Sequence, residues 1–283
     1  MDSIPPQFKS ILNSDLSVKA WMDPALSRLP GVQPLLPADW LRRDEAFDAQ
    51  LAYKDWLLSH RRRAVYQCQD GAKAAAQELL STLVAECGFP RIGGSLMRPD
   101  GQLIALSKAP PLITAGRLTQ EDWCIMQGYP AQQSGPAAHD LNTRETHILT
   151  AGVLCFPSSW QLGEKIGRGL GSIHSPVAQF DSKIARSVQR MFSAVRVGQP
   201  LWRANFLIYT DPDLHQHRAE GVAKPIEPTA PRFVRVERQT FRRLPKTRAV
   251  AFGIHSSIIP ASSLSHSDHA GLALLKPDVI PQT

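Results

Sequence analysis

Apolar and polar residues alternate with period two in three stretches of the last third of this chain, and each predicts a β-strand: 201–209, 232–241 and 249–258. In the first, Trp202, Ala204, Phe206 and Ile208 share a core face, while Arg203 and Asn205 share the other with Leu201 and Leu207. In the second, Phe233, Arg235, Glu237, Gln239 and Phe241 form a face in which aromatics bracket charged and polar groups. The third sets Val250, Phe252 and Ile254 against the small Ala251 and Gly253 and against His255. Polar groups framed by apolar ones suit a pocket. They equally suit an ordinary amphipathic sheet with one face in water.

Upstream the pattern is helical. Residues 42–63 carry Phe47, Leu51 and Leu58 near one face and end on Arg61, Arg62 and Arg63, which suit a helix C-terminus. Asp70 is placed to cap a second helix bearing Leu79, Leu80, Leu83, Val84 and Cys87, stopped by Gly88-Phe89-Pro90. Residues 98–101 read as a turn between two short strands. Thr119 followed by Asp122 resembles a capping box and predicts a short helix over 119–126. A strand over 148–156 and a capped helical turn over 158–165 come next. Asp181 then caps an amphipathic helix with Ile184, Val188, Met191, Phe192 and Val195 on one stripe. Residues 1–40, rich in proline, read as an extended arm, and 261–283 as a loose tail. Residues 211–230, polar with three prolines, read as a lid or a disordered loop. Helices followed by closely spaced strands predict an α+β domain over 41–260 with an antiparallel sheet.

Composition narrows the class. At 283 residues and 43% hydrophobic content the chain can bury a sizeable core. No run of about 18 apolar residues predicts a membrane span, and the N-terminal sequence does not read as a signal peptide. Cys68, Cys87, Cys124 and Cys155 are scattered without a C-x-x-C pair, which fits reduced thiols and a cytoplasmic setting. The net charge of +7 is concentrated: between 231 and 248, Arg232, Arg235, Arg238, Arg242, Arg243, Lys246 and Arg248 stand against Glu237 alone. Such a cluster suits phosphates, an acidic partner, the propionates of a buried cofactor, or merely a solvated basic edge.

The chain has no G-x-S-x-G, H-E-x-x-H or Walker loop. Gly167-x-Gly169-x-Gly171 lacks the last glycine of a dinucleotide fingerprint. His266 and His269 fall in the polar tail, His215 and His217 in the long loop, and His60, His139 and His147 have no clustered partners. His174 is different. It follows the glycine-rich run, which lets backbone come close to a flat ligand, and it precedes Ser175-Pro176. One imidazole, an apolar slot and cationic partners for two propionates are what a haem requires. His174, the aromatic-rich strands, and Arg203 or the arginine cluster offer them.

Several blocks in order, Leu154-Cys-Phe-Pro-Ser-Ser-Trp160, Glu164-Lys-Ile-Gly167, Ile173-His174-x-Pro-Val177, Arg203-x-Asn205 and Arg235-Val-Glu237-Arg238-Gln239-Thr240-x-x-Arg243-Leu-Pro245, resemble the haem-dependent oxidative N-demethylase family. Gln120-Glu121-Asp122 looks like that family's short acidic motif. The likeness runs from about Pro37 to Ile259. It implies a PAS-like core, an antiparallel sheet with flanking helices holding haem b. It also implies an oxygen-dependent demethylation of a small secondary amine such as dimethylamine, releasing formaldehyde. Electrons would come from separate subunits carrying NADPH, FMN and a [2Fe–2S] centre, beside a tetrahydrofolate-binding subunit; a second copy of the chain is a further expected partner. By the resemblance His174 is the axial ligand, Arg203 and Glu237 line the distal pocket, and Arg238 or Arg243 holds propionates or the sheet. Two positions depart from the pattern. Phe180 and Phe206 stand where members often carry Tyr and Trp, and a lost phenol removes a hydrogen-bond donor near the haem.

Three function classes follow: a haem N-demethylase, a haem-binding PAS-like sensor or carrier without turnover, and a basic nucleic-acid module. The last rests on the arginine cluster alone and lacks the aromatic interleaving of an RNA-binding sheet, so no nucleic-acid partner is expected.

Overall fold

The computed structural model describes residues 3–27, 31–130, 145–174, 182–222 and 229–276. The three period-two stretches become the longest strands of the C-terminal half. In chain order the strands are β1 (Gln33–Pro34), β2 (Tyr66–Cys68), β3 (Arg91–Ile92), β4 (Ser95–Met97), β5 (Leu103–Ala105), β6 (Asp122–Pro130), β7 (Glu145–Val153), β8 (Leu201–Tyr209), β9 (Phe233–Arg243) and β10 (Val250–Pro260). Seven of them form one sheet in the order β1-β8-β9-β10-β6-β7-β2, every neighbouring pair antiparallel. β3, β4 and β5 make a separate small sheet. The expected α+β class with an antiparallel sheet is therefore present.

The helices are α1 (Pro24–Ser27), α2 (Phe47–His60), α3 (Arg62–Val65), α4 (Lys73–Glu86), α5 (Pro111–Leu118), α6 (Leu162–Lys165), α7 (Leu170–His174), α8 (Ser182–Ala194) and α9 (His266–Leu275). Because side chains alternate along a strand, each long strand feeds two cores. Phe241, Val250, Phe252, Cys124 and Met126 pack under α6, α7 and the Val188, Met191, Phe192 and Val195 stripe of α8. Their neighbours Trp123, Ile125, Ala151, Val153 and Ala251 face the other way, onto α4 and α5. Beside them Ala204, Ile208, Val234, Val236 and Ile259 pack under Leu16, Trp21 and Leu26 of the N-terminal arm and Leu272 and Ala273 of α9.

Several expectations change, beginning with the caps expected at Asp70 and in the 158–165 turn, since among the described residues no side-chain bond caps α4 or α6. The helix predicted over 119–126 is instead the start of β6; α5 ends at Leu118, and Thr119 is extended at φ −126°. A run as short as Trp123-Cys-Ile-Met, buried on both sides, carries no periodicity that separates strand from helix. Thr119 caps nothing: its hydroxyl oxygen accepts the Trp123 indole N–H at 2.8 Å. The tail expected to be loose holds α9, whose N-cap Ser265 accepts from Asp268 N. The front of the polar loop is packed rather than open, with Asp213, Leu214, His215 and Gln216 all buried. Residues 223–228, also assigned to that loop, lie outside the described residues.

A buried ion pair fastens α2 to the sheet. Lys54, fully buried, donates to the carbonyls of Thr119, Gln120 and Glu121 at 3.2, 3.3 and 2.6 Å and lies 3.3 Å from the Asp122 carboxylate. Asp122 in turn accepts the Phe156 N–H at 2.6 Å. Lys54→Met strands a buried carboxylate and is expected to cost about 3–5 kcal/mol. Urea denaturation should show that loss, and Lys54→Met with Asp122→Asn should recover most of it because the uncompensated charge is gone.

Candidate ligand-binding site

The register of β8 on β9 sets Arg203 opposite Gln239, Asn205 opposite Glu237 and Leu207 opposite Arg235. Opposed residues share a sheet face, so the polar residues of both strands form one patch. Glu237, 6% exposed, lies at its centre. One carboxylate oxygen accepts from Ser158 Oγ and from Arg235 at 3.3 Å; the other accepts from Gln239 Nε2 at 3.1 Å. Ser158 arrives on the turn that follows β7. There Ser159 adopts a left-handed φ of 64°, donates its N–H to the Gln216 carbonyl at 2.9 Å and places its hydroxyl 3.2 Å from the Tyr209 phenol. Arg235, fully buried, donates to the carbonyls of Leu214 and Phe156 and to Ser256 Oγ as well as to Glu237.

Three atoms on this patch are unspent among the described residues. Arg203 Nε, Asn205 Oδ1 and Arg235 Nε are buried without a hydrogen-bond partner; Arg235 is held by its other nitrogens, whereas no other side-chain bond among these residues holds Arg203 or Asn205. Burial lowers the Arg203 pKa and the nearby Glu237 charge raises it, with burial prevailing. An unsatisfied buried polar group costs about 1–3 kcal/mol, so native folds rarely keep one without a use. Here one donor and one acceptor lie two residues apart on one face, and they do not satisfy each other.

The other expected site residues are distributed differently. Arg238 points to the opposite face, where it donates to the carbonyls of Trp40 and Asp39 and lies over the Trp202 ring at 5.4 Å. Arg243 donates to the carbonyls of Phe192, Val195 and Arg248 at 2.7, 2.6 and 2.6 Å, and so caps the end of α8. Both guanidiniums serve backbone carbonyls, and neither is brought to Glu237. Arg242 pairs with Glu86 and covers Trp40 at 4.2 Å, so the arginine cluster is split between two faces. His174 closes α7; its imidazole, Phe180 and the rest of 175–181 lie outside the described residues. Phe206 packs edge-on against Trp21 at 5.4 Å on the arm side, away from Glu237. The glycine run lies along β7: Gly167, at φ 77°, donates to Leu149 O, and Leu149 N donates to Arg168 O.

Ser158, Asn205 and Gln239 escaped assignment of a role. The alternation that marked Arg203 and Glu237 also marks Asn205 and Gln239, whereas Ser158 is brought in by a turn. Two histidines are more deeply held than expected. His147 is fully buried beside Phe192, its pKa lowered to about 4 by burial and by Arg243. Gln189 accepts the His147 N–H through Oε1 and so presents its amide N–H to Nδ1 at 2.8 Å. That fixes the proton on Nε2 and leaves no lone pair there for a metal. His215 is the reverse: Nδ1–H donates to the Cys155 carbonyl at 2.7 Å, and Nε2 is buried and open. Burial lowers its pKa to about 4.

The Gln120-Glu121-Asp122 motif lies under the arm, where it organises charge. Gln120 donates to Asp44 and Gln50, and Glu121 accepts from Arg42 N and lies 3.7 Å from His255. His255 Nε2 is 2.9 Å from Asp44. Burial alone would lower the His255 pKa, but its hydrogen bond to Asp44 and the negative charges of Asp44 and Glu121 together outweigh that and raise it to about 9. At Asp44 burial is the largest single influence, but the bonds from His255, Gln120 and Ala46 N–H together with the His255 charge outweigh it and lower the pKa to about 2. A histidine raised above its ordinary 6.5 adds stability that is complete below that pH and lost as pH climbs through about 9. His147 and His215, lowered to about 4, lose stability as pH falls from 6.5 towards that value. Urea midpoints followed against pH should therefore peak near 6.5. His255→Gln should flatten the alkaline limb alone; a wild-type protein with no alkaline limb would contradict the assignment.

The fold is an α+β protein with an antiparallel sheet, and one face of that sheet carries an oriented carboxylate, buried polar atoms without partners among the described residues and the neighbouring rings of Phe241 and Phe252, which makes it the candidate ligand-binding face. The chain belongs to the haem-dependent oxidative N-demethylase, alpha subunit-like family, whose sequence model matches residues 31–277. No curated protein matches the chain. The family is oxidoreductase by name, and an alpha subunit implies a multi-subunit assembly. Among the described residues no helix is long and apolar enough to cross a membrane.

Proposed function

We propose that this chain is the haem-binding catalytic subunit of an oxygen-dependent N-demethylase acting on a small secondary amine of the dimethylamine kind, with release of formaldehyde. The observation that carries the reading is the pair of unspent groups beside Glu237, in a chain of this family. A PAS-like core is supported by connectivity. Numbered in chain order, β6 to β10 lie side by side as 2-1-5-4-3, with α6, α7 and α8 between the second and third strands.

The residues fit haem b in the following way. Arg203 has a buried guanidinium with an open N–H, the donor that a propionate takes up. Leu201, Phe241, Phe252 and Phe192 supply the apolar flank. His174, at the end of α7 and in the family's I-H-x-P-V block, would hold the haem iron. Arg238 and Arg243 drop out of the propionate set because their donors are committed elsewhere. Bound haem supplies the oxygen activation and one-electron chemistry.

The chain's own residues place the substrate. Glu237 receives the amine as its ammonium, held in orientation by Ser158, Gln239 and Arg235. Its carboxylate can take the ammonium proton and return it, with Ser158 Oγ as the adjacent relay. The sequence has no flavin or nicotinamide motif, so electrons come from a separate flavin and iron–sulfur subunit. A tetrahydrofolate-binding subunit would accept the released carbon. A second copy of this chain and a cytoplasmic setting complete the reading.

Protein produced with ample haem should show a Soret band that shifts on reduction and on carbon monoxide addition, and His174→Ala should abolish it. An unchanged spectrum in that variant would overturn the axial assignment and turn attention to His215, whose Nε2 is open. Glu237→Gln should keep the Soret band and lower formaldehyde release from dimethylamine about 100-fold or more. Reducible haem without formaldehyde from any methylamine would favour a haem sensor.

A further inference from the structure

We infer that Asn205 is the residue that selects secondary over tertiary amines, by accepting the second N–H of the bound ammonium; this rests on the amine reading of the same site. Donors and acceptors on this face do not balance. A carboxylate offers about four lone-pair positions. Three at Glu237 are taken by Ser158, Arg235 and Gln239, which leaves about one. Directly across the strand pair, on the same face, Asn205 Oδ1 is buried with no donor. The donors on its face do not satisfy it: Gln239 Nε2 is committed to Glu237, and Arg203 Nε and Arg235 Nε are themselves without a partner. The face therefore presents two open acceptors on opposed residues, one charged and one neutral.

A dialkylammonium carries two N–H donors and matches that count. A trialkylammonium carries one, satisfies Glu237, and leaves Asn205 Oδ1 buried without a donor behind an added methyl group. A site built to receive a hydrogen bond rejects the analogue that lacks it more strongly than an apolar pocket rejects an extra methyl, because its own polar group stays unpaired. Glu237 thus sets the charge of the ligand, and Asn205 sets its degree of substitution.

The test is calorimetric titration of the haem-loaded protein with dimethylammonium, trimethylammonium and tetramethylammonium chlorides. The wild type should bind dimethylammonium about 10-fold or more tighter than trimethylammonium, one lost hydrogen bond at a buried acceptor. Asn205→Leu removes the acceptor at similar size. It should weaken dimethylammonium about 10-fold, leave trimethylammonium within about 2-fold, and so abolish the preference. Asn205→Asp keeps the acceptor and removes the amide donor. It should retain the preference, and it keeps the inference testable if the leucine variant does not fold. A preference that survives Asn205→Leu, or one lost in Asn205→Asp, overturns the role of Asn205 and leaves the amine reading standing. Failure of the wild type to bind any of the three cations overturns that reading, and this inference with it.

Discussion

Arg235 is the constraint on which the site depends. Its guanidinium, with no exposed surface, donates to the Phe156 carbonyl after β7, the Leu214 carbonyl of the polar loop, Ser256 on β10 and the Glu237 carboxylate. A buried charge is tolerable when most of its donors are met, and here the bonds of the two terminal nitrogens join three segments distant in sequence, while Nε has no partner among the described residues. The turn that carries Ser158 is held at one end by the Arg235 bond to Phe156 O. It is held from the other side by the Asp122 bond to Phe156 N. Glu237 therefore keeps its orientation without help from the ligand. An oriented carboxylate loses less free energy to reorganisation when a cation arrives.

The division of labour between sheet faces follows from strand periodicity. On β9, Arg235, Glu237 and Gln239 look towards the patch, while Arg238 and Arg242 look towards the arm and secure Asp39, Trp40 and Glu86. Glu121, His255 and Asp44 form a charged cluster beneath the arm, remote from the unspent Arg203 and Asn205. One strand thus supports both the binding chemistry and the fastening of the N-terminal segment. Changes to β9 are separable by parity.

Much of this was legible from alternation. The bounds of β8 coincide with the predicted stretch, and β9 and β10 each begin one residue later and end two residues later than their patterns. The pairing of Arg203 and Glu237 on a shared face followed from period two once the strands were adjacent. What was not legible depended on partners chosen by the fold. The sequence cannot say that Arg238 and Arg243 give their donors to backbone carbonyls, since those carbonyls belong to other segments. It could not separate helix from strand at Trp123–Met126, where every side chain is buried. The helical tail was missed because α9 has little amphipathic contrast, and its hold comes from Trp21 donating to Asp268 O and Lys19 pairing with its carboxylate.

The most direct test of the central claim, that the face shared by Arg203, Asn205 and Glu237 is where the cofactor and ligand meet, is a crystal structure of the haem-loaded protein with dimethylammonium. A propionate oxygen is expected within about 2.7–2.9 Å of an Arg203 nitrogen, with the ammonium between Glu237 and Asn205. Haem lodged on the opposite face beside Arg238 and His255, with Arg203 still lacking an acceptor, would contradict that claim.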